Sequence, residues 1–192
     1  MEVFVQVDPV FGMFDQSLSE LKGALAGIDA AHVHACIAAI AGARRIALYG
    51  VGREGLQIKG LAMRLYHLGL DAHVVGDMNC PPLGPGDLLI CSAGPGFFST
   101  VAALLKVARA DGASAMLVTA QHTAECARMA SFMLTVPAQT MADDQAPSTS
   151  ILPMGSLYEG ALYVLFEIMV LLLRQHLNIA PGAMRIRHTN LE

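Results

Sequence analysis

The chain has 192 residues, a length that fits one domain, with 54% hydrophobic residues and a mean hydropathy of +0.51. Its net charge is -4 and its pI about 5.9, and it contains no Lys/Arg run, so the electrostatic footprint of nucleic-acid binding is missing. One small core does not need this many apolar residues, so further burial between subunits, and hence a homo-oligomer, is expected.

The first residues, Met1 to Phe14, carry Glu2 and Asp8 and lack a basic segment, unlike a signal peptide. Leu18, Leu21, Leu25 and Ile28 recur at helical spacing. Val33, Ile37 and Ile40 do so again after Asp29, a suitable N-cap, which predicts an N-terminal helical hairpin. The pattern then changes. Arg45–Tyr49 is a short apolar run that ends at glycine and reads as a buried strand. A helix is expected from Gly55 to Leu68, stopped by Gly69.

The alternation continues. Strands are expected at 73–75, 88–91, 115–118 and 132–136, and helices at 99–111 and 123–130. The segment 76–87 is rich in Pro and Gly and shows no helical signal. Short apolar strands alternating with helices predict a three-layer αβα fold on a five-stranded parallel sheet with flavodoxin-like winding. Residues 138–151 are polar, with Asp143, Asp144 and the run that begins at Pro147, and form the candidate mobile segment. A long helix is expected over 156–176, followed by a polar tail. Within that helix the most apolar run, 161–173, falls short of the roughly 20 residues of a membrane span and reads as a buried or interface helix.

Cys36, Cys80, Cys91 and Cys126 are widely spaced without a C-x-x-C pair, which argues against a zinc knuckle or redox dithiol. Reduced thiols in a cytoplasmic protein are expected. His32 and His34 point to different helix faces and chelate poorly. His67 and His73 read as structural.

In such a sheet, ligands bind beyond the carboxyl ends of the strands. The loop there, Gly50-Val51-Gly52-Arg53-Glu54-Gly55, matches G-x-G-x-x-G, and Asp77 follows the second strand. Three readings stand at this point: a dinucleotide loop, a bare tight turn, and a sugar-phosphate loop. A dehydrogenase needs a substrate domain, for which 192 residues leave no room, and Glu54 would repel an anion at the helix N-terminus.

A longer likeness separates them. Gly52-Arg53-Glu54-Gly55-Leu56, Lys59, Ala62-Met63-Arg64-Leu65 and His67-Leu68-Gly69 resemble G-R-S-G-L…K…A-M-R-L-x-H-L-G of the 6-phospho-3-hexuloisomerases, sugar-isomerase (SIS) domain proteins. Gly86-Asp87-Leu88-Leu89-Ile90, Pro153-Met154-Gly155-Ser156-Leu157-Tyr158-Glu159 and the ending Arg187-His188-Thr189-Asn190-Leu191-Glu192 resemble their G-D-L-L-I, P-M-G-(S/T)-L-F-E and R-H-A-N-L-E. The resemblance implies a single SIS domain over 1–192, with N-terminal helices to 43, a sheet core over 44–137, a loop over 138–152 and a C-terminal helix and tail over 153–192. It also implies a homotetramer that interconverts 3-hexulose 6-phosphate and fructose 6-phosphate without metal or cofactor. A small sugar phosphate is the expected partner, with no nucleic acid and no membrane.

The chain departs from the family where phosphate should bind. Ala93-Gly94-Pro95-Gly96-Phe97-Phe98 stands in place of S-G-S-G-E-T, and Glu54 in place of a serine. Alanine has no hydroxyl and proline no N–H to offer a phosphate. Gly52, Arg53, Glu54, Ser92, Gly94, Gly96, Phe97, Ser99, Thr100 and His122 are the candidate substrate-binding residues. The alternative is a diverged SIS protein that binds another carbohydrate derivative or does not catalyse. Shifting a carbonyl by one carbon needs a base, which the resemblance places at Glu159, and it places a proton carrier at His188. Ser156-x-x-Glu159 is equally a capping box.

Overall fold

The computed structural model describes residues 8–145, 148 and 150–191. Its elements in chain order are α1 (Pro9–Ala26), α2 (Ala30–Gly42), β1 (Ile46–Gly50), α3 (Gly52–Leu68), β2 (Ala72–Val74) and β3 (Leu88–Ser92). They continue with α4 (Ser99–Ala110), β4 (Ser114–Thr119), a 3-10 turn (Cys126–Met129), β5 (Phe132–Thr135), α5 (Ser156–His176) and α6 (Pro181–Ile186). All strand pairs are parallel, in the order β2-β1-β3-β4-β5 expected of flavodoxin-like winding.

Local chemistry explains the boundaries. Asp8 and Asp29 accept from the amides of Val10 and Ala31 at 3.0 and 2.7 Å and open the N-terminal hairpin. Gly69 ends α3 at φ 88°, a left-handed conformation that glycine adopts without strain. The strands alternate strictly. Ile46, Leu48, Leu88, Ile90, Met116 and Val118 face a core built with α2, α3 and α5. Ala47, Leu89, Cys91, Ala115 and Leu117 face the other layer, where Val101, Ala102 and Leu105 of α4 cover them. That second layer is thin, and α4 is its one full helix among the described residues.

Several boundaries move. The helix expected over 123–130 is a 3-10 turn of four residues. The second strand lies at 72–74, one residue early, on the sheet edge. α3 begins at Gly52, so Arg53 and Glu54 lie in its first turn. The polar tail forms α6 against α3, which its shortness hid. α5 as a whole reaches 21 residues and is long and apolar enough to cross a membrane, yet half of its most apolar window is buried. Leu162, Leu165, Phe166 and Met169 belong to the core, so this apolarity is that of a core helix. Tyr163, Ile168 and Leu171 of α5 stay exposed.

All four cysteines are free thiols, and burial pushes Cys36 up to about 11. Residues Met1–Val7, Pro147, Thr149 and Glu192, on which parts of the sequence reading fall, lie outside the described residues.

The β1–α3 turn depends on two glycines in contact. A Cβ on Gly55 would sit 2.5 Å from the Gly50 carbonyl oxygen. Gly55→Ala therefore lowers stability by about 2 kcal/mol, read as a lower urea midpoint. An unchanged midpoint would refute the close approach.

Candidate active site

A cleft of about 250 Å³ opens beyond the carboxyl ends of β1 and β3. Gly52, Arg53 and Glu54 line it from the first turn of α3, Pro95 and Phe98 from the β3–α4 loop, and Tyr158 and Glu159 from the first turn of α5. Thr140 and Met141 close one side. Both come from the segment expected to be mobile, and Thr140 is fixed there by its amide and hydroxyl, which donate to Asp143 at 2.6 and 2.8 Å.

Arg53 organises the α5 end of the cleft. Its Nε lies 3.1 Å from Oε2 of Glu159, and one Nη donates to Ser156 Oγ at 3.0 Å. The other donates to the carbonyl of Met154. Met154 and Gly155 both hold positive φ, 55° and 80°, in the turn that launches α5. This geometry excludes the capping box. The N-cap is Gly155, and Ser156 is already inside the helix with its hydroxyl taken by Arg53. Glu159 is thus released from a capping role. Its side chain is 14% exposed on the cleft. Burial raises its pKa above the ordinary carboxylate value, and the Arg53 charge opposes the rise.

Glu54 borders the cleft but does not project outward from the helix N-terminus. It turns inward and is 7% exposed. Ser92 Oγ donates to its Oε2 at 2.6 Å, and the Gly94 amide lies 3.1 and 3.0 Å from its two oxygens. Since the Ser92 proton goes to Glu54, the Tyr158 hydroxyl, 3.2 Å away, donates to Ser92. Burial holds the Glu54 carboxyl up, against the pull of the Ser92 and Gly94 bonds, and the Glu159 charge adds to the rise. Burial and then the Glu54 charge hold the Tyr158 hydroxyl well above its ordinary value.

The structure brings together Gly52, Arg53, Glu54, Ser92, Gly94 and Glu159. It leaves others aside. Gly96 turns toward Gln121 and Ala124, at φ 90°. Phe97 is 45% exposed and leaves the cleft to Phe98. Ser99, Thr100 and His122 are exposed and do not line it. His188 is stacked on His67 at 5.2 Å, beside the last turn of α3. Arg53 and His67 are 14 positions apart on that helix, about 20 Å at 1.5 Å per residue. His188 is therefore remote from the cleft of its own chain. Tyr158 and Thr140 were missed. The aromatic position before Glu159 gave the first away only as a family phenylalanine, and nothing in the sequence marks the second. Among the described residues no group of three His, Cys, Asp or Glu side chains is placed to share a metal ion.

No family model matches the chain. It is 32% identical over 173 residues to the 3-hexulose-6-phosphate isomerase of Mycobacterium gastri, covering 90% of this chain and 86% of that one. The chain belongs to the 3-hexulose-6-phosphate isomerase family. The Bacillus subtilis isomerase of the same name is 29% identical over 175 residues, covering 91% of this chain and 95% of that one. A crystal structure from Methanococcus jannaschii, from which a 3-hexulose-6-phosphate isomerase function was inferred, superposes with a TM-score of 0.80 at 23% identity. It covers 96% of this chain and all of that one. The fold is that of the sugar-isomerase domain proteins, as the resemblance implied.

Two measurements test this geometry. In Arg53→Met the Glu159 carboxyl loses its cationic partner, and its pKa rises further in a carbon-detected NMR titration; no rise would show the pair to be inert. A Cβ on Gly94 would sit 2.9 Å from Glu54 Oε1 and 2.8 Å from the Tyr158 ring, so Gly94→Ala lowers the melting temperature.

Proposed function

We propose that the protein is a sugar-phosphate isomerase that interconverts 3-hexulose 6-phosphate and fructose 6-phosphate through an enediol. The observation that carries this reading is Glu159, a partly dry carboxylate on the cleft, held by Arg53 where relatives of this name match along nearly the whole chain.

The chemistry is a proton relay. Glu159 removes the proton from C2 of the 3-ketose while O3 gains a proton, giving the C2=C3 enediol. The same carboxyl then returns a proton to C3 as O2–H gives up its own, and the carbonyl now stands at C2. A higher pKa speeds removal of the proton from carbon and slows its return, so the two effects must be balanced; burial raises the Glu159 pKa and Arg53 limits the rise. Arg53 also offers positive charge beside the developing enediolate.

His188 is the group that carries protons between O2 and O3, and it serves a neighbouring subunit. Its place at the far end of α3 supports this, as does the exposed apolar surface of α1, α3 and α5, where Phe11, Phe14, Met63, Tyr66 and Tyr163 await cover. The assembly is a homotetramer working in the cytoplasm on a small phosphorylated sugar. A second reading, a diverged module for another carbohydrate derivative, draws on the inward turn of Glu54 beside Ala93 and Pro95.

Turnover of 3-hexulose 6-phosphate decides between them. In the first reading Glu159→Gln lowers kcat by about 10²–10⁴ with little change in KM. The acid limb of wild-type kcat/KM lies above pH 4.5, and activity falls as pH drops through it, because protonation removes the base. Wild-type protein without turnover would leave the second reading. Glu159→Gln and His188→Ala are each impaired alone, whereas co-assembled they recover activity; no recovery would mean that His188 serves its own subunit, and an unimpaired His188→Ala would place it outside the reaction.

A further inference from the structure

The proton relay leaves one carboxylate of the cleft without a role. Glu54 lines the cleft yet is almost wholly withdrawn from water. A hydroxyl from Ser92 and an amide from Gly94 converge on its two oxygens, and Tyr158 supports the hydroxyl from behind. Converging O–H and N–H donors on a buried pair of oxygens form an oxyanion site. Here the oxyanion is part of the chain.

Two neighbouring loop positions offer no replacement. Ala93 has no hydroxyl, and Pro95, which lines the cleft, has no N–H. The cation nearest in sequence, Arg53, is paired with Glu159 rather than with Glu54. The bonds that Glu54 accepts come from neutral donors, so its charge is not cancelled by a partner. Two like charges brought together in a site screened from water repel strongly.

We infer that Glu54 is an internal competitor of phosphate, which holds the Ser92–Gly94 cradle and keeps the phosphate end of a ligand at the rim of the cleft. Glu54 is then a specificity-determining residue, one that weakens the advantage of a phosphorylated sugar over its neutral counterpart. The inference rests on the proposed function only in taking a phosphate ester as the ligand.

Removing the charge opens the cradle. Glu54→Ser takes away the carboxylate and leaves a hydroxyl; Glu54→Gln keeps the volume and removes the charge alone. Isothermal titration at about pH 8, where phosphate is a dianion, compares inorganic phosphate, fructose 6-phosphate and fructose on all three proteins. Glu54→Ser binds phosphate and fructose 6-phosphate at least about tenfold more tightly than wild type, with fructose unchanged, and Glu54→Gln shifts in the same direction. Equal or weaker phosphate affinity in the folded variants overturns the inference, and if Glu54→Ser does not fold, Glu54→Gln decides alone. Binding needs no turnover. A variant that gains phosphate while the wild type fails to isomerise 3-hexulose 6-phosphate leaves this inference standing and removes the isomerase reading. A wild type that isomerises, with no gain in the variants, does the reverse.

Discussion

A buried carboxylate held by neutral donors governs the geometry of this site. Glu54 bridges the first turn of α3 and the loop after β3, since Ser92 and Gly94 both bond to it. A carboxylate removed from water is tolerated only with its oxygens satisfied. That requirement fixes neighbours. Gly94 must lack a side chain, because a Cβ there would strike both Glu54 and Tyr158. Tyr158, fully enclosed, must carry its hydroxyl to a partner, and Ser92 is that partner. The close contact of Gly50 with Gly55 brings the start of α3 near enough for the bridge to form.

The same helix turn sets the opposite wall. Arg53 follows Gly52 and points to the α5 end of the cleft, where it meets Ser156, Met154 and Glu159. Two consecutive residues of α3 thus reach in opposite directions, one to the loop after β3 and one to α5. Met154, a non-glycine residue at φ 55°, is an uncommon conformation, and the Arg53 bond to its carbonyl helps hold it.

Much of the fold was legible because the strands are short, near-continuous apolar runs and the helices repeat at three and four residues. Leu88 to Ser92, with both faces covered, reads as a continuous apolar run, as buried parallel strands do. Edges were less legible. β2 is three residues long and half-buried, so its pattern is weak, and α6, at six residues, is too short to show a helical repeat. The site was legible in its members but not in their directions. Glu54 was placed at the helix N-terminus correctly, but a charge there suggests a residue facing outward, and only the packing shows it turned onto Ser92 and Gly94. The S-x-x-E pattern at Ser156 is a capping box by spacing alone; the left-handed Gly155 takes the N-cap and leaves Glu159 to the cleft. His188 carried no three-dimensional signal at all, because its place depends on how α6 packs on α3.

The cleft holds two carboxylates, and their surroundings separate them. Both are raised by burial, so a raised pKa alone does not say which one acts as a base. The contacts do. Glu54 accepts from a hydroxyl and an amide, and turning it toward a substrate would break those bonds and strand their donors. Among the described residues the Glu159 carboxylate has one partner, a half-exposed guanidinium whose charge favours the ionised form, and it borders the open cleft. A base must accept a proton from carbon and release it again without rebuilding its environment. Glu159 meets that condition and Glu54 does not, which is why the proposed relay takes Glu159 as its base and leaves Glu54, which the fold has already satisfied, outside it.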